Sequence, residues 1–396
     1  MVISTRPLRF IIAAFIACLP LFNFANPVSD TTKVQTEVAP VLADTTHAIT
    51  EATPVAESKL SKEELEQEER SEFIQHHLQD SHDFHLFSYG KASGHEKHIG
   101  FSLPVILWDN GIHFFMSSEF HHGEAVAESN GSYYKINHSN GMVYKTDAAG
   151  TINFDAKHIP TNVKPIDLSI TKNVLMILLT GLLMLLLFGS LGRSYKKNGG
   201  IASGAGRFFE PIIMYIRDEI AIPNIGEKHY KKYMSHLLTI FFFIWFLNMF
   251  GLSPLGVNVT GNLAITAALA IITYLITTFT AKKDYWKHIF WMPGVPMPMK
   301  IILAPIELLG TIIKPFSLTI RLYANILAGH VVLMSIIALM YTFNNMIGSS
   351  LSFVLAFVLS ILEILVALLQ AYIFTMLSAL YFGSAVEEHH HDEAHH

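Results

Sequence analysis

Five long apolar stretches in the second part of the chain constrain its fold more than any other feature. They lie at about residues 168–191, 235–254, 262–281, 301–342 and 350–383. Roughly 20 apolar residues suffice for a helix to cross the hydrocarbon core of a bilayer. Of the 396 residues, 51% are hydrophobic and only 15% are charged, which is more apolar than a soluble domain requires. The sequence therefore predicts five transmembrane helices, of which the last two are long enough to tilt strongly or to extend beyond the hydrocarbon.

The chain before these stretches has a different character. Residues 1–26 place two arginines before a short apolar run, which is the layout of a secretory signal peptide. Residues 27–83 are rich in Thr, Val, Ala, Pro and acids, and they contain a capping box formed by Ser61 and Glu64. We expect a disordered linker here, followed by a short helix.

Residues 84–165 alternate aromatic and β-branched residues, broken by Gly and Asn. This pattern is typical of short strands. A weak internal repeat, SNGSYYK at 129–135 and SNGMVYK at 139–145, predicts two Asn-Gly turns that lead into tyrosine-bearing strands. We interpret this region as a small β domain.

Histidines crowd the approach to this domain, and two interpretations of them stay open. They could bind zinc, or they could form a solvated and weakly buffering surface. Nothing fixes a ligand geometry and no cysteine assists, so the second interpretation is favoured, and the sequence predicts no metal or other cofactor. The acidic and histidine-rich tail at 387–396 is interpreted in the same way. The histidines concerned are His76, His77, His82, His85, His95 and His98.

Basic residues predict the orientation in the membrane. Lys and Arg follow the first and third apolar stretches, whereas the joints 254–262 and 343–350 contain none. By the positive-inside rule the two basic joints and the tail are cytoplasmic, and the β domain is extracytoplasmic, in agreement with the signal peptide. After the first stretch, GRFFEPIIMYIRDEIAIPNIG mixes apolar and charged residues, as an interfacial amphipathic helix does. The predicted fold is an all-α integral membrane domain at 166–386 with five transmembrane helices, this interfacial helix and an N-terminal extracytoplasmic β domain.

Arg321 is a permanent positive charge inside the fourth apolar stretch. At about 100° per residue, Lys314, Ser317 and Asn325 fall on the same helix face as Arg321, and Glu307 lies close to that face. An arginine at the centre of a membrane helix costs at least about 2.5–3.5 kcal/mol and cannot escape by losing its proton. No acid of the same chain is expected at its depth, so the pattern favours a partner on another protein.

A second polar group is expected nearer the outer surface. His330 lies about half a turn around the helix from Arg321, while Glu363 and Gln370 share one face of the last helix. The two helices are joined by a short polar segment and should run antiparallel. The spacing then places Arg321 level with Gln370, and His330 level with Glu363. An imidazole beside a carboxylate can pass protons, although the pair could equally be a buried ion pair that stabilises the hairpin.

Two segments carry a family resemblance: KPFSLTIRLYANILAGH at 314–330 and LQAYIFTMLSALYFGSA at 369–385. They resemble subunit a of the F-type ATP synthase. FFIWFLNMFGLSPLG and IELLGTIIKP fit the same family, so the resemblance covers roughly residues 205–386. It implies a stator subunit of the F0 sector in a bacterial inner membrane, where two offset proton half-channels face a rotating ring of c subunits. It also implies subunit b of the stator stalk as a partner.

The resemblance further implies roles for single residues. Arg321 matches the arginine that holds the passing rotor carboxylate deprotonated, with Asn325 and Gln370 as flanking polar residues and Ser317 as a weaker candidate. His330, Glu363 and Asn248 match positions that line the outer half-channel, and Glu307 would line the inner one. Compared with well-studied bacterial relatives, the histidine and the acid of the outer pair are exchanged.

Alternatives from other classes are a self-contained ion/proton antiporter and a non-transporting assembly scaffold. An antiporter would need its own substrate-binding carboxylate at mid-membrane and usually has paired internal repeats, neither of which is evident. The sequence contains no GxxxxGK[ST] phosphate loop, so we expect no ATP binding of that kind and no catalytic site. The resemblance implies no nucleic-acid partner. The His/Glu pair favours protons over sodium as the coupling ion.

Overall fold

The computed structural model of the protein describes residues 80–387 apart from short gaps at 90–96, 156, 158, 198, 200–203, 205, 254–256, 293–294 and 343–345. The predicted signal peptide, nearly all of the linker with its capping-box helix, and the tail from residue 388 lie outside the described residues.

Eight short strands form the N-terminal part of the described chain, as the alternating pattern predicts. Strands β1 and β2 pair with each other, β3 pairs with β4 and β8, and β6 pairs with β5 and β7, all antiparallel. The strands are β1 Asp83–Tyr89, β2 Lys97–Ser102, β3 Pro104–Trp108, β4 Ile112–Met116, β5 Ala127–Ser129, β6 Ser132–Ile136, β7 Val143–Thr146 and β8 Ile166–Asp167.

The two Asn-Gly turns differ from each other. Asn130 and Gly131, with φ of 50° and 75°, form the two-residue loop between β5 and β6, so the prediction for the first turn is confirmed. The second pair, Asn140 and Gly141, lies inside a longer loop that connects β6 with β7. Backbone hydrogen bonds from both residues to the carbonyl of Asn137 hold that loop.

Buried apolar residues and one aspartate hold the β domain together. Tyr134 and Phe120 are fully buried in its small core. The carboxylate of Asp109 accepts hydrogen bonds from the Tyr134 hydroxyl at 3.2 Å and from Lys145 Nζ at 2.6 Å. The Asp109 carboxylate therefore joins the end of β3 to β6 and β7. Its pKa is lowered, chiefly by the hydrogen bond from Lys145.

Helices form the remainder of the described chain, and five of them are long and apolar enough to span a membrane. These five coincide with the predicted stretches: α1 Lys172–Lys197, α4 Tyr230–Leu252, α5 Leu263–Thr280, α7 Met297–Thr342 and α8 Met346–Val386. The Asn262 side chain caps α5 by accepting a hydrogen bond from the backbone N–H of Ala264. Five apolar helices therefore confirm the all-α membrane domain.

Three shorter helices lie between the long ones. The predicted interfacial segment is helical, as α2 Gly206–Tyr215, a π-helical turn Ile216–Ala221 and α3 Ile222–Ile225. Its residues Ile216 and Ile220 are buried in the main helical core. The sequence analysis did not anticipate α6 Lys283–Phe290, a short helix with Lys287 in its last turn.

The helices differ in how much of their surface the chain itself covers. In the most apolar window of each helix, half of the residues of α4 are buried, against 17% for α7 and 22% for α8. The buried face of α7 contains Leu318, Leu322 and Ile326, whereas Phe316 and Ile320 are exposed. Helix α4 is therefore central, and α7 and α8 leave broad apolar faces uncovered.

Candidate functional site

His330, Glu363 and Asn248 line one small cavity between α4, α7 and α8. All three side chains are buried. Helix spacing alone predicts that His330 and Glu363 lie at one level, and the structure brings them together there. The cavity thus joins an imidazole, a carboxyl group and a carboxamide within a mostly apolar surrounding.

The absence of a side chain at Gly329 leaves space for the Glu363 carboxyl group. A Cβ atom at Gly329 would lie 3.0 Å from Glu363 Oε1, which is tighter than ordinary contact. The glycine before His330 therefore lets the carboxyl group approach the backbone of α7 closely. A side chain at this position would require the carboxyl group to shift by a few tenths of an ångström.

The segment after α4 supplies polar groups that the sequence analysis missed. Thr260 Oγ1 donates a hydrogen bond to Asn248 Oδ1 at 2.5 Å, and both Asn258 and Thr260 line the cavity. The available signal was the polar run NVTGN at 258–262, in a joint without any Lys or Arg. Helical periodicity does not extend into such a segment, so its side chains could not be placed from the sequence.

Arg321 lies on the other side of α7. Arg321 and Asn325 are exposed, while His330 is buried, in agreement with the half-turn difference expected from the spacing. Among the residues that the structure describes, Arg321 forms no salt bridge. The residues that the structure describes thus leave the Arg321 side of α7 uncovered.

The remaining predicted residues occupy separate places. Gln370 is buried on α8, and within the described ranges no hydrogen bond joins its side chain to that of Arg321. Ser317 and Glu307 are half-buried on α7. That Arg321 and Gln370 lie at the same depth stays a prediction.

A second cavity lies further towards the start of α7. Its polar lining includes Lys314, Thr311 and Tyr285, and Tyr381 of α8 also contributes. The ammonium group of Lys314 lies 5.4 Å from the centre of the Tyr381 ring. Tyr285 lies on α6, outside the long helices. Its pKa is raised by burial and by the nearby Tyr274 and Glu307, so Glu307 is close enough to act on this cavity.

The structure describes only some of the histidines at the approach to the β domain. His76, His77 and His95 lie outside the described residues, whereas His85 and His98 lie on β1 and β2. The solvated-surface interpretation is wrong for His82, which is buried and forms an ion pair with Asp167, with 2.8 Å between Nε2 and Oδ2. Burial here arises from the contact between β8 and the segment before β1, which sequence spacing does not reveal.

Comparisons with known proteins match two parts of the chain to families. Residues 73–168 match a family described as a domain of unknown function, DUF8433. Residues 174–383 match the family described as ATP synthase A chain, which is more than half of the chain.

Similar proteins include several bacterial subunits. ATP synthase subunit a of Chloroherpeton thalassium is 41% identical over 249 residues, which cover 61% of this chain and 74% of that protein. The subunit a of Myxococcus xanthus is 41% identical over 235 residues, covering 58% and 77%. ATP synthase subunit a 2 of Prosthecochloris aestuarii is 35% identical over 314 residues, covering 74% of this chain and 94% of the relative. The chain therefore belongs to the ATP synthase subunit a family.

Proposed function

We propose that this chain is the stator subunit that carries protons past a rotor in the F0 sector, through two half-channels that open to opposite sides of the membrane. One observation carries the proposal: α7 presents an exposed, permanently charged Arg321 on one side and a buried, titratable His330 on the other. The two chemistries are thereby separated on a single helix. A proton path needs both, since arginine keeps its charge and the imidazole can exchange a proton.

Arg321 is the group proposed to face a ring of c subunits. The exposed position and the absence of a salt bridge within the described chain support a partner on another protein. A membrane carboxylate on that partner would be attracted strongly at close range in a medium of low dielectric. Asn325, exposed one turn along, and the half-buried Ser317 would flank the contact, and Gln370 would support it from α8. The arginine then keeps the passing carboxylate ionised and blocks a direct path between the half-channels.

The cavity of His330, Glu363 and Asn248 is proposed as the outer half-channel. Among the described residues, Glu363 Oε2 and Asn248 Nδ2 are buried without a hydrogen-bond partner. Buried polar atoms of this kind are normally satisfied by protein or ordered water, so we expect water to enter here. A carboxyl group beside an imidazole can then exchange protons with that water, and the exchanged order of the two residues leaves the pair's chemistry intact.

The inner half-channel is proposed to run along Glu307 and the second cavity. The half-buried Glu307 carboxyl group acts electrostatically on Tyr285, which lines that cavity with Lys314. Basic residues in the segments after α1 and α5 favour a cytoplasmic position for the start of α7, where Glu307 and the second cavity lie. The β domain would accordingly be periplasmic, and the chain would contact subunit b of the stator stalk in a bacterial inner membrane.

The first experiment replaces Arg321 with alanine in the assembled ATP synthase. We expect ATP-driven proton pumping to be lost, because the rotor carboxylate would no longer be held ionised at the seam. Passive proton flow after removal of the catalytic head should change as well. Arg193→Ala is a matched control, since Arg193 lies at the end of α1, is exposed, and donates to the Gly189 carbonyl of its own helix.

Normal pumping by an assembled R321A complex would show that the arginine only stabilises helix packing. Affinity purification of the tagged chain distinguishes the stator from the two alternatives, an antiporter and an assembly scaffold. A stator brings c and b subunits with it, whereas an antiporter transports ions alone after reconstitution. A scaffold would assemble the complex and tolerate the loss of Arg321.

A further inference from the structure

One sheet of the β domain is apolar on both of its faces. Side chains of the sheet β4-β3-β8 alternate between the two faces, and Val105, Leu107 and Phe115 of one face lie in the small core. The opposite face, termed the apolar face below, has nine positions, none of which carries a charge. They are Pro104, Ile106 and Trp108 of β3, Ile112, Phe114 and Met116 of β4, and Ile166, Leu168 and Ile170 of β8 and the residues after it.

The strand register makes the apolar face continuous. Its positions form three rows across the sheet, because the pairing of β3 with β8 continues through backbone hydrogen bonds beyond the end of β8. The row nearest to α1 is Met116, Pro104 and Ile170, the middle row is Phe114, Ile106 and Leu168, and the far row is Ile112, Trp108 and Ile166. At about 3.3 Å per residue, the far row lies about 13 Å from the near row.

The second sheet of the same domain shows what an ordinary outer face contains. Sheet β5-β6-β7 packs on the buried face of β4-β3-β8, with Tyr134 turned towards the shared core. Its other face carries Glu128, which pairs with Tyr133, and Lys135 two residues further along. Polar residues are expected on the solvated face of an antiparallel sheet. The apolar face departs from this rule, so we infer that it is not a solvated face.

Exposure of the apolar face is substantial. Phe114 is 63% exposed, Ile112 62% and Trp108 52%, and Met116 and Ile166 are exposed as well. The part of the chain that the structure describes therefore leaves the face open. Continuous exposed apolar surface of this kind marks a contact with a membrane or with another molecule.

Hydrogen bonds fix the β domain to the first turn of α1. The Asp80 carboxylate accepts a hydrogen bond from Thr171 Oγ1 at 3.0 Å and one from the backbone N–H of Asn173 at 3.2 Å. The carbonyl of Ser81 accepts a third from the backbone N–H of Lys172 at 3.1 Å. At this junction between the two domains, the segment before β1 is thus bound to the start of a helix that is long and apolar enough to span a membrane.

Apolar packing holds the near row of the apolar face at the same level. Leu103, which directly precedes β3, is buried in one core with Met176 and Ile177 of α1. A single residue separates Ile170 from the first residue of α1. The apolar face therefore begins where the first membrane helix begins, and the bilayer is the apolar phase closest to it.

The chemistry of the apolar face fits lipid better than protein. Protein interfaces carry about one hydrogen bond per 100–200 Å². Of the side chains on this face, only the indole of Trp108 can form one. Lipid requires no such bonds, and tryptophan is enriched where a membrane meets water. Lys164, exposed two residues before Ile166, adds a positive charge that anionic headgroups attract.

We propose that the apolar face lies flat on the bilayer surface and that the β domain is thereby a second, peripheral membrane-binding element of the chain. Its side chains would enter the boundary between headgroups and acyl chains, to a depth of about 5–10 Å. The inference goes beyond the proposed function and does not depend on Arg321 or on the proton path.

The test places a nitroxide label at Ile112 or at Ile166, in the row furthest from α1. An upright sheet would bring only the near row to the membrane, whereas a flat sheet brings the far row there too. The sequence has one cysteine, Cys18, in the predicted signal peptide, so Cys18→Ser provides a background for Ile112→Cys and Ile166→Cys. The labelled full chain is reconstituted into vesicles of phosphatidylcholine and phosphatidylglycerol.

Collisions of the label with oxygen, which concentrates in lipid, are compared with collisions with a water-soluble nickel chelate. We expect oxygen to dominate at both Ile112 and Ile166. Glu128→Cys is the matched control, because Glu128 is exposed on the outer face of the second sheet, on the other side of the domain. The nickel chelate should dominate there.

Two results would overturn the inference. Dominant collisions with the nickel chelate at either Ile112 or Ile166 would show that the far row lies in water. Few collisions with both reagents would show that protein, such as a second copy of the chain, covers the face. In the assembled complex, a benzophenone amino acid in place of Ile112 should crosslink to lipid, and a crosslink to another subunit would likewise contradict the proposal. The proposed function is tested separately, by pumping in R321A.

Discussion

At the scale of single residues, one helix carries an arginine and a histidine in two different environments. Arg321 is exposed on α7 and His330 is buried on the opposite side. An arginine keeps its charge under all biological conditions, so it suits a position that must never release a proton. A histidine can bind and release a proton near neutrality, so it suits a position where protons are exchanged.

A substitution of Glu363 tests whether the buried cavity exchanges protons. Glu363→Gln keeps the size of the side chain and removes its titration. We expect assembly to persist and proton flow through the complex to fall at least about a hundredfold, in the range that positioned acid–base groups contribute. The double variant His330→Glu with Glu363→His restores an imidazole and a carboxyl group in the same cavity and should recover much of the flow. Wild-type flow in E363Q would contradict the proposed role of the cavity.

Helix geometry explains which of these residues the sequence could predict. His330 and Glu363 lie on regular helices, where a fixed rotation and rise per residue relate distant positions. Thr260 lies in a connecting segment without such a rule, and its bond to Asn248 depends on how that segment folds back. His82 was misjudged for a related reason, since its burial depends on Asp167, a residue 85 positions away. Periodicity relates positions on regular helices, and it does not predict the contacts that irregular segments make.

At the scale of elements, the close approach of α8 to α3 explains why Gly383 is a glycine. A Cβ atom at this position would collide with the backbone carbonyl of Asn224. Phe382, the neighbouring residue, is fully buried and stacks on Tyr233 with 4.5 Å between ring centres. The end of α8 is therefore fixed tightly against the helical core.

Gly383→Ala should destabilise the membrane domain by about 1–3 kcal/mol, because backbone atoms on both sides must separate to admit a methyl group. Gly181→Ala is the matched control, since nothing lies within 4 Å of a Cβ atom there. Thermal unfolding of the purified chain in detergent measures the difference. Equal melting temperatures for the two variants would contradict the close packing of α8 on α3.

The two longest helices exceed the membrane in length. Helix α7 has 46 residues and α8 has 41. At a rise of 1.5 Å per residue they extend for about 60–70 Å, roughly twice the hydrocarbon thickness. The sequence analysis anticipated this length from the apolar stretches. The direction of tilt depends on the surrounding helices and cannot be obtained from the stretches themselves.

At the scale of the whole molecule, the junction between the two domains should respond to pH. The pKa of His82 is raised above its ordinary 6.5, so the stabilisation from its ion pair is complete below 6.5 and is lost as the pH rises through the higher folded value. The pKa of Asp167 is lowered below 3.8, so its contribution is lost only as the pH falls below 3.8. The raised pKa of Asp80 also reduces stability as the pH rises above 3.8.

We therefore expect the junction to be more stable at about pH 6 than at about pH 9. Hydrogen exchange of the backbone N–H groups of Lys172 and Asn173 in the assembled complex measures this difference. His82→Gln should abolish the part of the loss of protection that occurs above pH 6.5, the ordinary pKa of histidine. Greater protection at pH 9 than at pH 6 in the wild type would contradict the ion-pair account.

The exposed arginine on α7 has a consequence for the life of the chain before assembly. Lipid can cover the apolar faces of α7 and α8, but it cannot satisfy the guanidinium of Arg321, whose exposure to hydrocarbon costs at least about 2.5–3.5 kcal/mol. On the proposed function, a newly inserted copy carries this cost until a rotor covers that face. Binding of the proposed partner would therefore stabilise the inserted subunit, and the supply of that partner would set the fraction of copies that carry an uncovered charge.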